Sequence, residues 1–414
     1  YKRWILLTIL GAMLLGLGLA VIELEYYHTV NNPTMVPILA FLSLRWLDRP
    51  VRFIIFGGIG VLLILVGIWG ANHALLKPFE KSGKPLLDTI QSYRRRARGI
   101  NVVVIGGGHG QATLLRGLKE FTHNITAIVT VADTGGSSGD LRRDLGVLPP
   151  GDIRNCLAAL SSDEALLSQV FQYRFKSGTG LEGHSLGNLL ITALGEITGS
   201  FEEAVMESGK VLAIYGQVLP STLTNVQLVG ELEDPETGEI QRIVGESELT
   251  NTPGRIHRVW LDPANTPAYP PAISAILNAD LILIGPGSLF TSLLPNLLVG
   301  GLADAIQSSR AEKYFICNVA TERGETEGFN ASDHLKVIEQ HLGRDLFDLV
   351  ICNRNFRGKL GANAEWVVAD MVLHENYKVY EADLIDETYP WRHDSQKLAK
   401  AIINLFEERT GPLL

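Results

Sequence analysis

Two glycine-rich turns lie close together in the sequence, and both have the composition of a phosphate-binding loop. The first reads GGGHG at residues 106–110, and the second reads DTGGSSGD at residues 133–140. Glycines allow the backbone to approach a phosphate, and a helix that begins at such a turn presents free N–H groups with a partial positive charge. Two turns of this kind, each after a strand-like apolar run, favour a large ligand that carries phosphate groups.

The first turn fits the dinucleotide fingerprint G-x-G-x-x-G only in part. Gly106 and Gly108 fill the first two glycine places, whereas Gln111 occupies the third. Asp133 ends the second apolar run, at the place where an acidic residue often binds a ribose hydroxyl. An NAD-dependent dehydrogenase is therefore one alternative, although the missing third glycine and the additional glycine turn count against it.

Three further loops of small residues stand next to apolar segments. The run LPPGDIRN carries Asp152 and Asn155, GHSLGN carries His184 and Asn188, and GPGS occupies residues 285–288. Asp152 is also a natural helix cap, and His184 has the alternative of a turn histidine bound to backbone. If these loops converge at one sheet edge, they form a diphosphate site. The pattern identifies no nucleophile and no general base, so the catalytic residues stay unassigned.

Alternating apolar runs and helical segments indicate how these loops are positioned. Strands are predicted at residues 100–105, 125–132, 281–284, 314–318 and 346–352. Helices are predicted at residues 111–121 and 331–342. This alternation predicts a Rossmann-like, doubly wound and mainly parallel α/β sheet, which binds ligands at the carboxyl ends of its strands. Residues 225–261 read instead as an antiparallel insertion, with a hairpin turn at DPETG and a third strand at RIHRVWL.

The N-terminal region has a membrane-like pattern. Residues 4–22 and residues 53–71 are two 19-residue stretches without a charged side chain, close to the roughly 20 residues that cross a bilayer. Basic residues flank the pair, which by the positive-inside rule places both ends in the cytoplasm. We expect two transmembrane helices as a membrane hairpin (residues 1–72), a basic linker (73–98) and a cytoplasmic α/β domain (99–414), in a multi-pass protein of the inner membrane. A signal peptide is the alternative for the first stretch.

Charge and cysteine content exclude several classes of function. The net charge is −9, and residues 99–414 contain 24 Lys and Arg against 40 Asp and Glu. Because binding along a nucleic-acid backbone needs clustered cations, we expect no nucleic-acid partner. The three cysteines, Cys156, Cys317 and Cys352, show no zinc-ligand spacing and are predicted to be buried thiols. The sequence leaves the protein partners and the oligomeric state open.

Seven motifs in order resemble the gluconeogenesis factor (YvcK-like) family, which is related to the 2-phospho-L-lactate transferases (CofD). They read IGGGHGQATLLRGLK, NITAIVTVADTGGSSGDLR, LPPGDIRNCLAAL, GHSLGNLL, GQVLPST, GPGSLFTSLLPNLLV and ICNVATERGETEGFNASDHL. The likeness covers residues 101–342, and a membrane hairpin ahead of it looks like the membrane-anchored version of the family. The resemblance implies a Rossmann-like core and a nucleoside-diphosphate ligand.

The resemblance also implies which residues bind that ligand. The positions that match the motifs of the family are Gly106, Gly107, Gly108, His109, Gly110, Asp133, Thr134, Gly135, Gly136, Ser137, Ser138, Asp152, Asn155, His184, Asn188, Gly285, Pro286, Gly287, Ser288 and Phe290. Three positions within these motifs depart from the usual residues: His109 replaces a threonine, Thr134 replaces an acidic residue and Asp140 replaces an arginine. Phe290 stands where a tyrosine is common, so stacking is retained and a hydroxyl contact is lost. The loss of the arginine weakens the expectation of a diphosphate, and the loss of the acidic residue weakens that of a metal.

For the YvcK-like branch, the resemblance implies a UDP-sugar ligand and a regulatory role in carbon metabolism and in cell-wall and cell-shape control. For the transferase branch, it implies an enzyme that uses a nucleoside-diphosphate-linked substrate with Mg²⁺. The first function is the leading expectation, with the transferase as the alternative. Whether the chain catalyses a reaction is left open.

Overall fold

The computed structural model describes residues 96–411, apart from 163–165, 235 and 362–363, together with isolated positions between residues 9 and 51. The chain divides into two compact units, Tyr1–Ile90 and Gln91–Leu414. The elements that follow all belong to the second unit.

A seven-stranded sheet forms the centre of this unit, and every neighbouring pair of its strands is parallel. Its strands are Val102–Gly106 (β1), Ile125–Val129 (β2), Gln217–Pro220 (β3), Leu281–Ile284 (β7), Glu312–Ile316 (β8), Leu349–Asn353 (β9) and Val379–Ala382 (β10). Apolar and β-branched residues fill the central strands, and β1, β2, β7 and β9 are buried along their whole length. Such continuous burial is expected of a parallel sheet that helices cover on both faces.

The strand order is β10-β9-β8-β7-β1-β2-β3. From β1 the chain moves outward through β2 to β3, and it then returns to lay β7 on the other side of β1. From β7 it moves outward in the opposite direction to β10. The sheet direction therefore reverses between β1 and β7, and the loops that leave these two strands diverge and open a crevice there. This order confirms the predicted doubly wound parallel sheet.

A second, three-stranded antiparallel sheet confirms the predicted insertion. It consists of Gln227–Glu233 (β4), Ile240–Val244 (β5) and Arg255–Asp262 (β6), in the order β5-β4-β6. A six-residue helix, Glu246–Asn251 (α7), connects β5 to β6. This helix returns the insertion to the second glycine turn, because the Ser247 backbone N–H donates to Thr134 Oγ1 at 3.2 Å.

The helices cover both faces of the large sheet. In chain order they are Gly108–Leu118 (α1), Gly136–Leu145 (α2), Gly151–Leu160 (α3), Leu167–Gln172 (α4), Leu186–Thr198 (α5), Phe201–Val211 (α6), α7, Pro270–Leu277 (α8), Leu294–Leu297 (α9), Leu302–Ser308 (α10), Ala331–Leu342 (α11), Met371–Asn376 (α12) and Ser395–Thr410 (α13). The predicted helix at residues 331–342 has these bounds in the structure. The first helix begins three residues earlier than predicted, so the glycine turn is itself the first helical turn.

The prediction of a multi-pass inner-membrane protein requires correction. Within the described residues, no helix combines the length and the apolar character that crossing a bilayer requires. The two predicted spans, residues 4–22 and 53–71, lie outside the described residues apart from isolated positions in the first of them. The predicted pair of transmembrane helices therefore has no support in the structure.

Candidate functional site

A cavity of about 580 Å³ opens where the sheet reverses direction, at the carboxyl ends of β1 and β7. This volume lies within the roughly 300–1,000 Å³ range of small-ligand sites. Its walls come from both glycine turns, α3, α7, the β7 and β8 loops and the segment before α13. The lining residues are Gly107, Gly108, His109, Gly110, Thr113, Thr130, Asp133, Asp152, Glu246, Pro286, Gly287, Ser288, Thr291, Ser292, Asn318, Val319, Ala320, Thr321, Glu322, Gly361, Ala364, Trp391, Arg392 and His393.

The first glycine turn and the GPGS loop meet at the base of this cavity. A Cβ atom at Gly110 would lie 2.5 Å from the Pro286 carbonyl oxygen, so only glycine permits this approach. Asn318 holds the other loop in place, because its Oδ1 accepts from Gly287 N and its Nδ2 donates to Gly287 O, each at 3.1 Å. The first turn of α1, whose N–H groups have no partner within the helix, is thereby fixed beside a second backbone loop. One of these groups, Gly108 N–H, donates to the Asp152 carboxyl group.

Gln111 explains why the third glycine of the dinucleotide fingerprint is absent. Its side chain is completely buried between β1 and β2. The Nε2 atom donates to the Val104 carbonyl at 2.9 Å and to the Ile128 carbonyl at 3.0 Å, and Oε1 accepts from the Cys156 thiol at 3.3 Å. The helix is therefore joined to the sheet by an amide with three partners rather than by the close packing of a glycine.

Three carboxyl groups face one another on the wall formed by the second glycine turn. Asp133 follows β2, Asp152 belongs to the first turn of α3, and Glu246 begins α7 of the insertion. Burial, followed by the charge of Asp133, raises the pKa of Asp152 to about 7. Burial, followed by the charges of Asp133 and Asp152, raises the pKa of Glu246 to about 7 as well. These two groups are therefore half protonated near neutral pH.

Positive charge reaches the cavity from the opposite side. Arg392 is the arginine of the lining, and it stands between two other lining residues, Trp391 and His393. Burial lowers the pKa of His109, and the nearby guanidinium groups of Arg392, Arg116 and Arg154 lower it further. His109 is therefore held neutral beside a cationic patch.

A buried carboxyl group supports the loop after β7 from beneath. The loop continues into a short π-helix, Leu289–Leu293. Glu325 accepts hydrogen bonds from Phe290 N at 3.0 Å and from Thr291 Oγ1 at 2.8 Å, which satisfies donors at the start of that helix. Burial, followed by the charge of Glu322, raises the pKa of Glu325 to about 8. Glu325 is thus a structural support, whereas Glu322 lines the cavity.

The structure brings nine of the residues that match the family motifs into the cavity lining. They are Gly107, Gly108, His109, Gly110, Asp133, Asp152, Pro286, Gly287 and Ser288. Gly106 and Gly285 lie at the strand ends directly beside this group. Phe290 does not line the cavity, because its side chain is completely buried against Phe329 and His341 and is thus unable to stack on a ligand in it.

The remaining matched residues form a separate, hydrogen-bonded cluster at the start of α2 and α5. Ser137 Oγ contacts His184 Nδ1 at 3.0 Å and accepts from Asn188 Nδ2 at 3.1 Å. Ser138 is buried with Ser137, and Asn155 Oδ1 accepts from the Arg154 guanidinium at 2.9 Å. This cluster joins three helices beside the cavity without lining it.

Two of the three motif departures, Thr134 and Asp140, lie outside the cavity lining, whereas His109 belongs to it. Asp140 forms an ion pair with Arg143 on the exposed side of α2. Thr134, as described above, holds the insertion through its hydroxyl, and Gly135 N donates to Asp133 Oδ1 at 2.7 Å. Glu246 supplies a carboxyl group next to Asp133 although Thr134 has none.

Fifteen lining residues are not among the predicted site residues, and five of these carry titratable or amide side chains: Glu246, Asn318, Glu322, Arg392 and His393. Asn318 and Glu322 lie in a run that resembles the family, but their spacing carries no separate signal. The segment WRHD, just before α13, is a compact group of polar and aromatic residues that could have drawn attention. Glu246 had no sequence signal, because only the packing of the insertion brings it to the wall. Among the described residues, no three His, Cys, Asp or Glu side chains are grouped so as to hold a metal ion.

Comparisons with known proteins agree with this geometry. The family model for 2-phospho-L-lactate transferase CofD matches residues 102–410. A relative named gluconeogenesis factor from Halalkalibacterium halodurans is 45% identical over 73% of this chain and 95% of its own length, and one from Bacillus subtilis is 42% identical over 74% and 98%. A relative from Nostoc sp. is 43% identical over 98% of this chain and 90% of its own length.

A solved structure extends the comparison to the fold. The crystal structure of a UPF0052 family member from Bacillus halodurans superposes with a TM-score of 0.68 at 44% identity, covering 73% of this chain and 98% of that one. The family model and the curated relatives cover most of the second unit, including every loop of the cavity. The chain belongs to the gluconeogenesis factor group of the CofD-like (UPF0052) family.

Proposed function

We propose that this chain binds a UDP-sugar in the cavity and acts as a regulatory protein of carbon metabolism and of cell shape. One observation carries the ligand class: two backbone loops and the first turn of α1 meet at the reversal point of a parallel sheet. That arrangement suits a diphosphate better than a single phosphate, because it offers donors from two loops at once. The metabolic role rests on relatives named gluconeogenesis factor, and the role in cell shape rests on the family resemblance alone.

The protonation of Asp152 and Glu246 determines the pH range in which a diphosphate binds tightly. Below a pH of about 7, Asp152 and Glu246 are largely protonated, so they add little charge and can donate hydrogen bonds to phosphate oxygens. Above that pH they ionise and repel the ligand. Binding without a metal ion is therefore expected to be tighter at pH 6 than at pH 8, by about tenfold for charges that meet across a partly solvated cavity.

The transferase alternative has one observation in its favour, which is the match of the CofD family model to residues 102–410. Such an enzyme would use Mg²⁺ to offset the charge that develops on the transferred group. Asp133 and Asp152 are the candidates for oxygen ligands, although among the described residues no three His, Cys, Asp or Glu side chains are grouped to hold a metal ion. The dehydrogenase alternative has no such support, because Gln111 fills the third glycine place and Asp133 is already bound to Gly135 N.

Calorimetric titration of the full chain tests the proposal. UDP-N-acetylglucosamine is titrated at pH 6 and pH 8, with and without Mg²⁺, and GDP and NAD serve as controls. We expect micromolar binding of the UDP-sugar without metal at pH 6, and weaker binding at pH 8. A preference for GDP that requires Mg²⁺ would favour the transferase, and binding of none of these ligands would contradict a nucleotide site.

A further inference from the structure

Two residues of the cavity lining, Glu322 and His393, each carry a buried polar atom that has no hydrogen-bond partner among the described residues. Glu322 follows β8, and its carboxylate is hydrogen-bonded to Ser288, yet its Oε2 atom is inaccessible and has no partner among the described residues. His393, only 7% exposed, lies directly before α13, and its Nε2 atom is likewise buried without a partner. Both residues line the same cavity.

The hydrogen bond that His393 already makes determines whether its other ring nitrogen is a donor or an acceptor. The ring is hydrogen-bonded to the backbone of Cys317. A backbone carbonyl can only accept, so the proton of the neutral ring resides on the nitrogen that faces Cys317. Burial lowers the pKa of His393 to about 4, which keeps the ring neutral at physiological pH. The Nε2 atom is therefore an acceptor that requires a donor.

Glu322 likewise has a buried atom, Oε2, that requires a hydrogen-bond partner. Burial raises the pKa of the neighbouring Glu325 to about 8, with the charge of Glu322 as the second cause. Burial raises the pKa of Glu322 as well, and its hydrogen bond with Ser288 lowers it. Ser288 occupies one side of the Glu322 carboxyl group, and Oε2 is left without a partner among the described residues.

Buried acceptors without donors are rare, because each loses its hydration without compensation. A deprotonated phosphate has no hydrogen to donate, so it cannot supply the donor that Nε2 of His393 requires. Hydroxyl groups can, and a sugar carries several. Trp391, next to Arg392, adds an aromatic surface to the same wall, of the kind that packs against the apolar face of a ring.

We propose that Glu322 and His393 accept hydrogen bonds from the hydroxyl groups of the ligand's sugar and thereby select a sugar nucleotide over the free nucleotide. This assignment rests on the proposed function and specifies how the ligand is oriented in the cavity. The diphosphate lies against α1 and the GPGS loop, while the sugar lies against the wall formed by Glu322, Trp391 and His393. Each residue acts as a specificity determinant through direct contact with the ligand.

The test compares UDP-N-acetylglucosamine with UDP on four variants of the full chain by calorimetry. Glu322→Gln and His393→Leu each remove one acceptor. We expect each to weaken sugar-nucleotide binding by about tenfold or more, the usual effect of losing one buried hydrogen bond, and to leave UDP binding unchanged. His393→Gln restores an acceptor and is expected to recover part of the loss. Glu365→Gln, on an exposed side chain outside the cavity, is the matched control and is expected to behave as the unsubstituted protein.

The outcomes separate this assignment from the proposed function. If Glu322→Gln and His393→Leu weaken UDP and UDP-N-acetylglucosamine equally, or weaken neither, the sugar assignment is wrong while nucleotide binding stands. If the unsubstituted protein binds neither ligand, the proposed function is wrong and the sugar assignment is wrong as well. Thermal unfolding of every variant shows that the differences arise from folded protein.

Discussion

The charged side chains of the cavity are distributed unevenly, and this decides what the cavity can bind. Four carboxyl groups line the cavity, those of Asp133, Asp152, Glu246 and Glu322, and Arg392 is the arginine of the lining. An anionic ligand therefore depends on backbone donors, on protonation of the buried carboxyl groups and on Arg392. Such dependence on one cation makes its removal informative.

Replacement of Arg392 by alanine is expected to weaken binding of UDP-N-acetylglucosamine by about tenfold to a hundredfold, because a charge-assisted hydrogen bond to phosphate contributes about 1.5–3 kcal/mol. Calorimetry on the full chain measures the change. Arg310→Ala is a suitable control, since Arg310 is exposed just before β8, at the opposite edge of the sheet. Equal affinities of Arg392→Ala and the unsubstituted protein would show that the backbone loops alone hold the phosphates.

Between neighbouring elements, the decisive contact is that of α1 with the loop after β7. The contact depends on the lack of a side chain at Gly110, and it is fixed by the Asn318 clamp on Gly287. Neither loop by itself forms the base of the cavity. The geometry of the phosphate site is thus a property of two elements that are far apart in the sequence.

Substitution of Gly110 by alanine is expected to push the two loops apart. The new methyl group would meet backbone atoms that have little freedom to move, so we expect a loss of about 1–3 kcal/mol of stability and a marked loss of nucleotide affinity. Gly195→Ala is the matched control, because Gly195 lies within α5 and its nearest neighbour, Ala204 Cβ, is at 3.9 Å. That control should be neutral or slightly stabilising, as expected for a glycine within a helix. Tm measurements give the change in stability, and titration with UDP-N-acetylglucosamine gives the change in affinity. An unchanged affinity of Gly110→Ala would contradict the shared phosphate site.

For the whole molecule, the buried carboxyl groups link folding to pH. The pKa values of Asp152, Glu246 and Glu325 are about 7, 7 and 8, above those of exposed carboxyl groups. Between a pH of about 4 and these values, the folded state holds protons that the unfolded state has released. Stability from this source is therefore complete at low pH and is lost as the pH rises through 7 and 8.

The Tm of the ligand-free protein is accordingly expected to be lower at pH 9 than at pH 7, because the last of these protons leave the folded state over this interval. Asp152→Asn removes one of the three groups, so its Tm should fall less over the same interval. Asp144→Asn, on a side chain that is 70% exposed, serves as the control and should follow the unsubstituted protein. Parallel Tm curves for all three proteins would mean that Asp152 is not protonated in the folded state.

The sequence by itself determined the class of fold and the location of the site within the chain. Periodic apolar runs predicted the parallel sheet, the hairpin turn DPETG predicted the insertion, and β7 and α11 have the predicted bounds. These features are local, because strand burial, helix capping and turn formation depend on neighbouring residues. The short strands β3 and β10 escaped prediction, since each has four residues and owes its conformation to the edge of the sheet.

Only the tertiary structure decided which side chains share the cavity. Glu246 reaches Asp133 because the insertion folds back onto the second glycine turn, and Arg392 and His393 reach the β1 loop although more than 280 residues separate them in the sequence. The same packing placed Phe290 in the core and directed Ser137 toward His184. Contacts between distant segments depend on strand order and on the path of the connections, which no local pattern encodes. The chemistry of the loops was therefore readable from the sequence, whereas the balance of charge and the free acceptors of the cavity arose from packing.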